Sequence, residues 1–130
     1  QQWDAFYLSY SQDGLNWTAP EQTAPGERGR MPLFYHIDNQ YWLLSYREYV
    51  ATGAGTQYAT VRLSRDGESW SQPHRFMSGV EANGFFVKSK GKWYLFASTY
   101  PGGEIVRQQV DLDALAKQLL PPAPEPSTRK

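Results

Sequence analysis

Ser11-Gln12-Asp13-Gly14-Leu15-Asn16-Trp17 and, 53 positions later, Ser64-Arg65-Asp66-Gly67-Glu68-Ser69-Trp70 share the pattern S-x-D-G-x-x-W. Each copy is followed three residues on by proline, Pro20 and Pro73. The chemistry is that of a tight turn. An Asp carboxylate accepts hydrogen bonds from the backbone N–H groups just after it, and Ser does so more weakly. Gly14 and Gly67 take the positive φ a hairpin turn requires without a Cβ penalty. The trailing Trp17 and Trp70 supply apolar plates to cover the turns and pack between strands. Ser11, Asp13, Gly14 and Trp17, with Ser64, Asp66, Gly67 and Trp70, are therefore read as structural, against a competing reading of the two Asp as catalytic acids. A repeat of about 40–50 residues marks supersecondary units that are stacked or arranged radially.

The flanks repeat too. With the same spacing, Phe6, Leu8 and Tyr10 fall on Ala59, Val61 and Leu63, alternate positions that share one strand face. A second block, at a spacing of 52, pairs Leu33-Phe34-Tyr35 with Phe85-Phe86-Val87 and Tyr41-Trp42-Leu43-Leu44-Ser45 with Trp93-Tyr94-Leu95-Phe96-Ala97. Short polar turns, 37–40 and 88–92, divide each block into a hairpin.

Strands are thus expected at 3–10, 18–23, 31–37, 40–47, 57–64, 71–76, 83–89, 92–99 and 104–110. Residues 31–76 form one complete four-stranded unit, with a pair of strands before it and three after. Four antiparallel strands about every 50 residues describe β-propeller blades, and this chain holds about two. The expected fold class is all-β: propeller blades over 1–110, a short helix over 111–120, and a Pro-rich, disordered tail over 121–130. An Asp111 cap and leucines at 112, 115 and 119 carry the helix, and Pro121-Pro122 stop it. Covering apolar surface is its expected role, with partner binding the alternative.

The chain of 130 residues has 13 basic and 13 acidic side chains and 15% aromatics. No basic stripe marks a nucleic-acid partner, and no run of about 20 apolar residues marks a membrane span. The absence of cysteine excludes disulfides, thiolate zinc sites and thiol nucleophiles. His36 and His74 lack metal-ligand spacing and read as structural or solvent-facing, so neither metal nor cofactor is expected. The start at Gln1 leads to the expectation of a processed or excised segment, and a secreted or periplasmic location is expected.

The two turns resemble the Asp boxes (bacterial neuraminidase, or BNR, repeats) of sialidase-like propellers, shortened by one residue between Asp and Gly. Arg30-Met31-Pro32, the hydrophobic hairpin after it and Tyr46-Arg47-Glu48 are similar to the R-I-P region of sialidases. That resemblance spans about residues 29–99 and implies for Arg30 a grip on a substrate carboxylate. It sets Glu81 where the family often has a glutamate assisting its tyrosine nucleophile. Loop 50–57 carries no carboxylate where the family places an acid/base aspartate, and Ser98-Thr99 stands where another arginine is expected. The catalytic set is therefore incomplete in this chain, with Glu81 and Glu48 the candidate catalytic residues. Five-bladed glycosidase propellers acting on arabinans and fructans share the D-G-x-x-W turn.

Arginine forms bidentate pairs with carboxylates that lysine cannot match. Arg30, Arg47 and Arg62 are the candidate substrate-binding residues, with intrachain pairing to Glu48 or another acid as the competing role. Trp42, Trp93 and Tyr94 offer stacking faces for sugars, although strand aromatics more often fill a core. Two units are too few to close a ring of four to eight, so a homo-oligomer or a second chain supplying further blades is expected. Two functions remain open. The first is a glycan-recognising, carbohydrate-binding module or the blades of a glycoside hydrolase of sialidase type. The second is a non-catalytic interaction or scaffold propeller.

Overall fold

The computed structural model describes residues 6–24, 29–50, 56–80, 84–99 and 102–123. The chain is mostly antiparallel β with one short helix at its C-terminal end. The strands are β1 (Phe6–Leu8), β2 (Glu21–Ala24), β3 (Gly29–Ile37), β4 (Tyr41–Val50), β5 (Thr56–Ser64), β6 (His74–Ser78), β7 (Phe85–Ser89), β8 (Lys92–Ser98) and β9 (Ile105–Val110). Among the described residues they form three sheets, ordered β1-β2, β3-β4-β5-β6 and β7-β8-β9, none closed on itself. The expected four-stranded unit over 31–76 is the middle sheet, over residues 29–78. Expected strand residues 3–5 and tail residues 124–130 lie outside the described residues.

The two S-x-D-G-x-x-W segments form the same hydrogen-bonded turn, joining β1 to β2 and β5 to β6. In the first, the N–H groups of Leu15 and Asn16 each donate to Asp13 Oδ1 at 2.8 Å, and Gly14 N–H donates to Ser11 Oγ at 2.7 Å. In the second, Glu68 and Ser69 N–H donate to Asp66 Oδ1 at 2.8 Å, and Gly67 N–H donates to Ser64 Oγ at 2.8 Å. Gly14 and Gly67 have φ of 77° and 79°, a conformation that penalises any side chain. The closing bonds match as well. Thr18 N–H donates to Tyr10 O and Ser71 N–H to Leu63 O, while Tyr10 and Leu63 N–H donate to the hydroxyls of Thr18 and Ser71.

The single spacing of 52 expected for the second repeat breaks inside the hairpin. Phe34 pairs with Leu44, and Phe86, 52 residues after Phe34, pairs with Leu95, only 51 after Leu44. Trp42 therefore corresponds to Trp93, not to Tyr94. The cause is loop length. Asp38, Asn39 and Gln40 separate β3 from β4, whereas Lys90-Gly91 alone separate β7 from β8, both at positive φ as a two-residue hairpin turn requires.

Strand alternation gives the middle sheet two buried faces. One carries Tyr41, Leu43, Ala59, Val61 and Leu63 and forms the main core with Phe86, Leu95, Ala97 and Val110 of the third sheet. The other carries Leu44 and Tyr46, against which Phe6 of β1 packs edge-on, with ring centroids 5.2 Å apart. The sheets thus stack in chain order with the middle one covered on both sides. Trp70 packs on this second cluster, as expected, but Trp17 is 62% exposed. Among the described residues the first sheet has only β1 and β2, so no described counterparts of β3 and β4 underlie Trp17.

Helix α1 (Leu112–Leu119) begins at Asp111, whose carboxylate accepts from Ala114 N–H at 3.0 Å. Leu112, Leu115 and Ala116 join the main core, and the buried Tyr41 hydroxyl donates to Leu112 O at 3.2 Å. The helix covers apolar surface, and it is not long and apolar enough to cross a membrane.

Candidate functional site

Antiparallel order places the end of β4 beside the starts of β3 and β5, at the sheet edge opposite the Asp turns. Arg30, Arg47, Glu48 and Tyr58 all belong to that edge. Arg30 pairs by register with Arg47, and Glu48 pairs with Tyr58. The register of β3 is interrupted between Arg30 and Leu33, where Met31 takes φ of 61° immediately before Pro32. A non-glycine residue held at positive φ stores backbone strain. Pro32 lacks an N–H to donate, and its place on an edge strand is the one a sheet tolerates.

The side chains of this region divide between the two faces of β4. Glu48 shares its face with Leu44 and Tyr46, whereas Arg47 points to the opposite face. The Glu48 side chain is 4% exposed. Arg75 from β6 grips it with two prongs, Nε to Oε1 at 2.6 Å and a terminal guanidinium nitrogen to Oε2 at 3.1 Å. The Thr60 hydroxyl donates to Glu48 Oε1 at 3.1 Å. The Arg75 guanidinium also lies 5.1 Å from the centroid of the Tyr58 ring. A carboxylate taken out of water survives only with such charge-assisted partners.

Arg62 lies on the same face, buried under the first sheet. It donates from Nε to the Tyr46 hydroxyl at 3.4 Å and from a terminal nitrogen to Ser71 O at 2.9 Å. Those bonds tie β5 to the segment after the second Asp turn, a bracing role. Of the three expected arginines, then, Arg30 and Arg47 meet by register, and Arg62 is drawn into the sheet interior. Glu81 lies outside the described residues. Arg75 and Thr60 were not singled out by sequence, although their positions on β6 and β5, facing Glu48 across the sheet, follow once register is known.

Asp13 and Asp66 are consumed by their turns. Backbone N–H groups of Asn16 and Leu15, with the Asn16 amide and the Ser11 hydroxyl, hold the Asp13 carboxyl well below the usual carboxylate range. Ser69 and Glu68 N–H and the Ser64 hydroxyl lower Asp66 likewise. Neither carboxyl is suited to donate a proton near neutrality. His36 stacks on Trp42 at 4.2 Å between ring centroids, and partial burial lowers the pKa of His74, which packs on Phe76. Trp42, Trp93 and Tyr94 are all half-buried. Arg107 covers Tyr94, its guanidinium 5.0 Å from the ring centroid.

Comparison with protein-family models, with curated proteins and with solved structures finds no match to this chain.

Proposed function

We propose that this chain is a glycan-recognising sector of a sialidase-like β-propeller, with its catalytic set incomplete. The matching Asp turns and the stacking of sheets in chain order support the propeller reading, in which each sheet is a blade or part of one. In this reading the ligand is an acidic sugar, gripped at the sheet edge opposite the Asp turns. The observation that carries it is the register of Arg30 on Arg47 beside the strained Met31-Pro32 bulge. Arginine binds a carboxylate with bidentate bonds, and the register brings two of the expected arginines to one end of the sheet. Binding without turnover fits the state of three candidate acids, because Glu48 is held by Arg75 and Asp13 and Asp66 are locked in turns.

The scaffold reading has its own support. The outer face of the third sheet exposes Phe85 (61%), Val87 and Ile105 (78%), an apolar surface suited to a further sheet from a second copy or another chain. The two readings separate on a panel of acidic and neutral glycans. Recognition of acidic sugars predicts binding by the parent chain that Arg30→Ala or Arg47→Ala abolishes with unchanged circular dichroism and melting. Binding that survives both substitutions, or none by the parent across the panel, favours the scaffold.

A further inference from the structure

At the Asp-turn edge, the first sheet leaves a cleft of about 180 Å³ against the middle one. Rings from both sheets line it: Tyr10 from the strand entering the first turn, Phe34 and Trp42 from β3 and β4, and Trp70 from the second turn. Phe34 and Trp70 pack against each other, centroids 5.8 Å apart and tilted by 60°, and together form one corner of the cleft. Tyr10 is fixed across the cleft because its hydroxyl donates to Gly67 O at 2.9 Å. Leu8 contributes apolar lining, and Asp66 supplies a carboxylate to the rim.

An aromatic ring presents a negative π face, and several converging on one cavity attract a cation that is weakly hydrated and apolar at its periphery. The field around the cleft has the same sign. Beyond burial, the carboxylates of Glu68, Glu21 and Asp66 raise the pKa of the Tyr10 phenol. The cationic Arg65 is turned elsewhere, donating to Pro121 O and Gln40 O. We infer that this cleft binds a quaternary alkylammonium group, held by the rings of Tyr10, Phe34, Trp70 and Trp42, the last already stacked on one face by His36, and by the nearby carboxylates. Ammonium itself, being strongly hydrated, loses more on entering so aromatic a lining than a methylated cation does.

The proposal is independent of glycan recognition, which concerns the opposite edge. Its test is an NMR titration of the full chain with choline, following the indole Nε1–H resonances, assigned by Trp→Phe substitution. Choline is expected to shift the Trp42 and Trp70 signals saturably. Its neutral carbon isostere, 3,3-dimethylbutan-1-ol, is expected to bind at least about tenfold more weakly, since it lacks the charge the rings attract. Phe34→Ala, at a partly exposed position, removes one side of that corner and is expected to weaken choline binding by a similar factor. Tyr10→Phe keeps the ring and is expected to retain binding, which separates the cage from loss of fold.

A parallel titration with an Nε-trimethyllysine amide distinguishes a modified side chain from a free solute as the natural source, and tighter binding of either supports the site. Equal affinity for choline and its neutral isostere, or shifts confined to other indoles, overturns the assignment.

Discussion

Removing Arg75 tests whether the Glu48 cluster is a buried ion pair or an ordinary surface one. In Arg75→Ala, the Glu48 carboxylate loses the two-pronged donor but stays at a position where its side chain is 4% exposed. Stripping one partner from a fully buried pair typically costs about 3–5 kcal/mol. The Arg75 side chain is 48% exposed, so water entering its place hydrates part of the carboxylate and the expected loss falls to about 2–3 kcal/mol. At a domain of this size that lowers the melting temperature by roughly 10 °C. Urea titration of parent and variant is the direct assay, with a lower midpoint and an unchanged slope as the expected pattern. Adding Glu48→Gln to the variant neutralises the carboxylate that has lost its two-pronged donor and is expected to recover part of the loss, whereas Glu48→Gln alone destabilises. A cost for Arg75→Ala below about 1 kcal/mol, or no recovery in the double variant, would refute the account of Glu48 as a carboxylate kept dry by its partner.

Three further outcomes follow from the same coordinates. Asp13 and Asp66 have folded-state pKa values below the unfolded one, so their stabilisation is full above about pH 4 and lost as pH falls through the folded values. Urea midpoints of the parent should therefore decline below pH 4 more steeply than those of Asp13→Asn plus Asp66→Asn, and parallel declines would contradict the turn assignment. Gly84→Ala sets a Cβ 2.5 Å from Leu95 Cδ1 and 2.6 Å from the backbone oxygen of Phe96, so a loss of about 1–3 kcal/mol is expected by calorimetry. Replacing Phe85 and Ile105 by Lys should reduce any concentration-dependent mass seen by sedimentation, and a parent chain that is monomeric at every concentration removes self-association.

Much of this fold was legible because its signals are local. S-x-D-G-x-x-W specifies a turn through atoms within five residues of one another, and the backbone hydrogen bonds to the Asp13 and Asp66 carboxylates correspond. The alternation of Phe6-Leu8-Tyr10 with Ala59-Val61-Leu63 likewise fixed which strand face is apolar. Register across a hairpin is less local. The slip of one residue between β4 and β8 comes from a loop shortened to Lys90-Gly91, and the spacing of 52 matches residue types better in sequence, so side-chain similarity alone points to the wrong register. The Glu48 cluster was legible only in part. Its carboxylate and Arg62 stood out, but Arg75 lies 27 residues from Glu48 and reaches it across β5, so only the paired sheet shows which arginine takes the acid.

The direction of stacking gives the architecture its consequence. Phe6 on β1 faces Tyr46 of the middle sheet, and its counterpart Ala59 on β5 faces the third sheet. Leu44 receives the first sheet, and its counterpart by register, Leu95, receives the middle one. Each sheet therefore offers corresponding faces to its predecessor and its successor, a head-to-tail relation and not a two-fold one. Head-to-tail contacts leave one unsatisfied face at each end unless the rotation per step closes a ring. The exposed Phe85, Val87 and Ile105 occupy the face that, on the middle sheet, meets its successor. A further sheet seated there would repeat an interface this chain already makes once within itself, which is why apolar exposure on that face suits the addition of a further sheet.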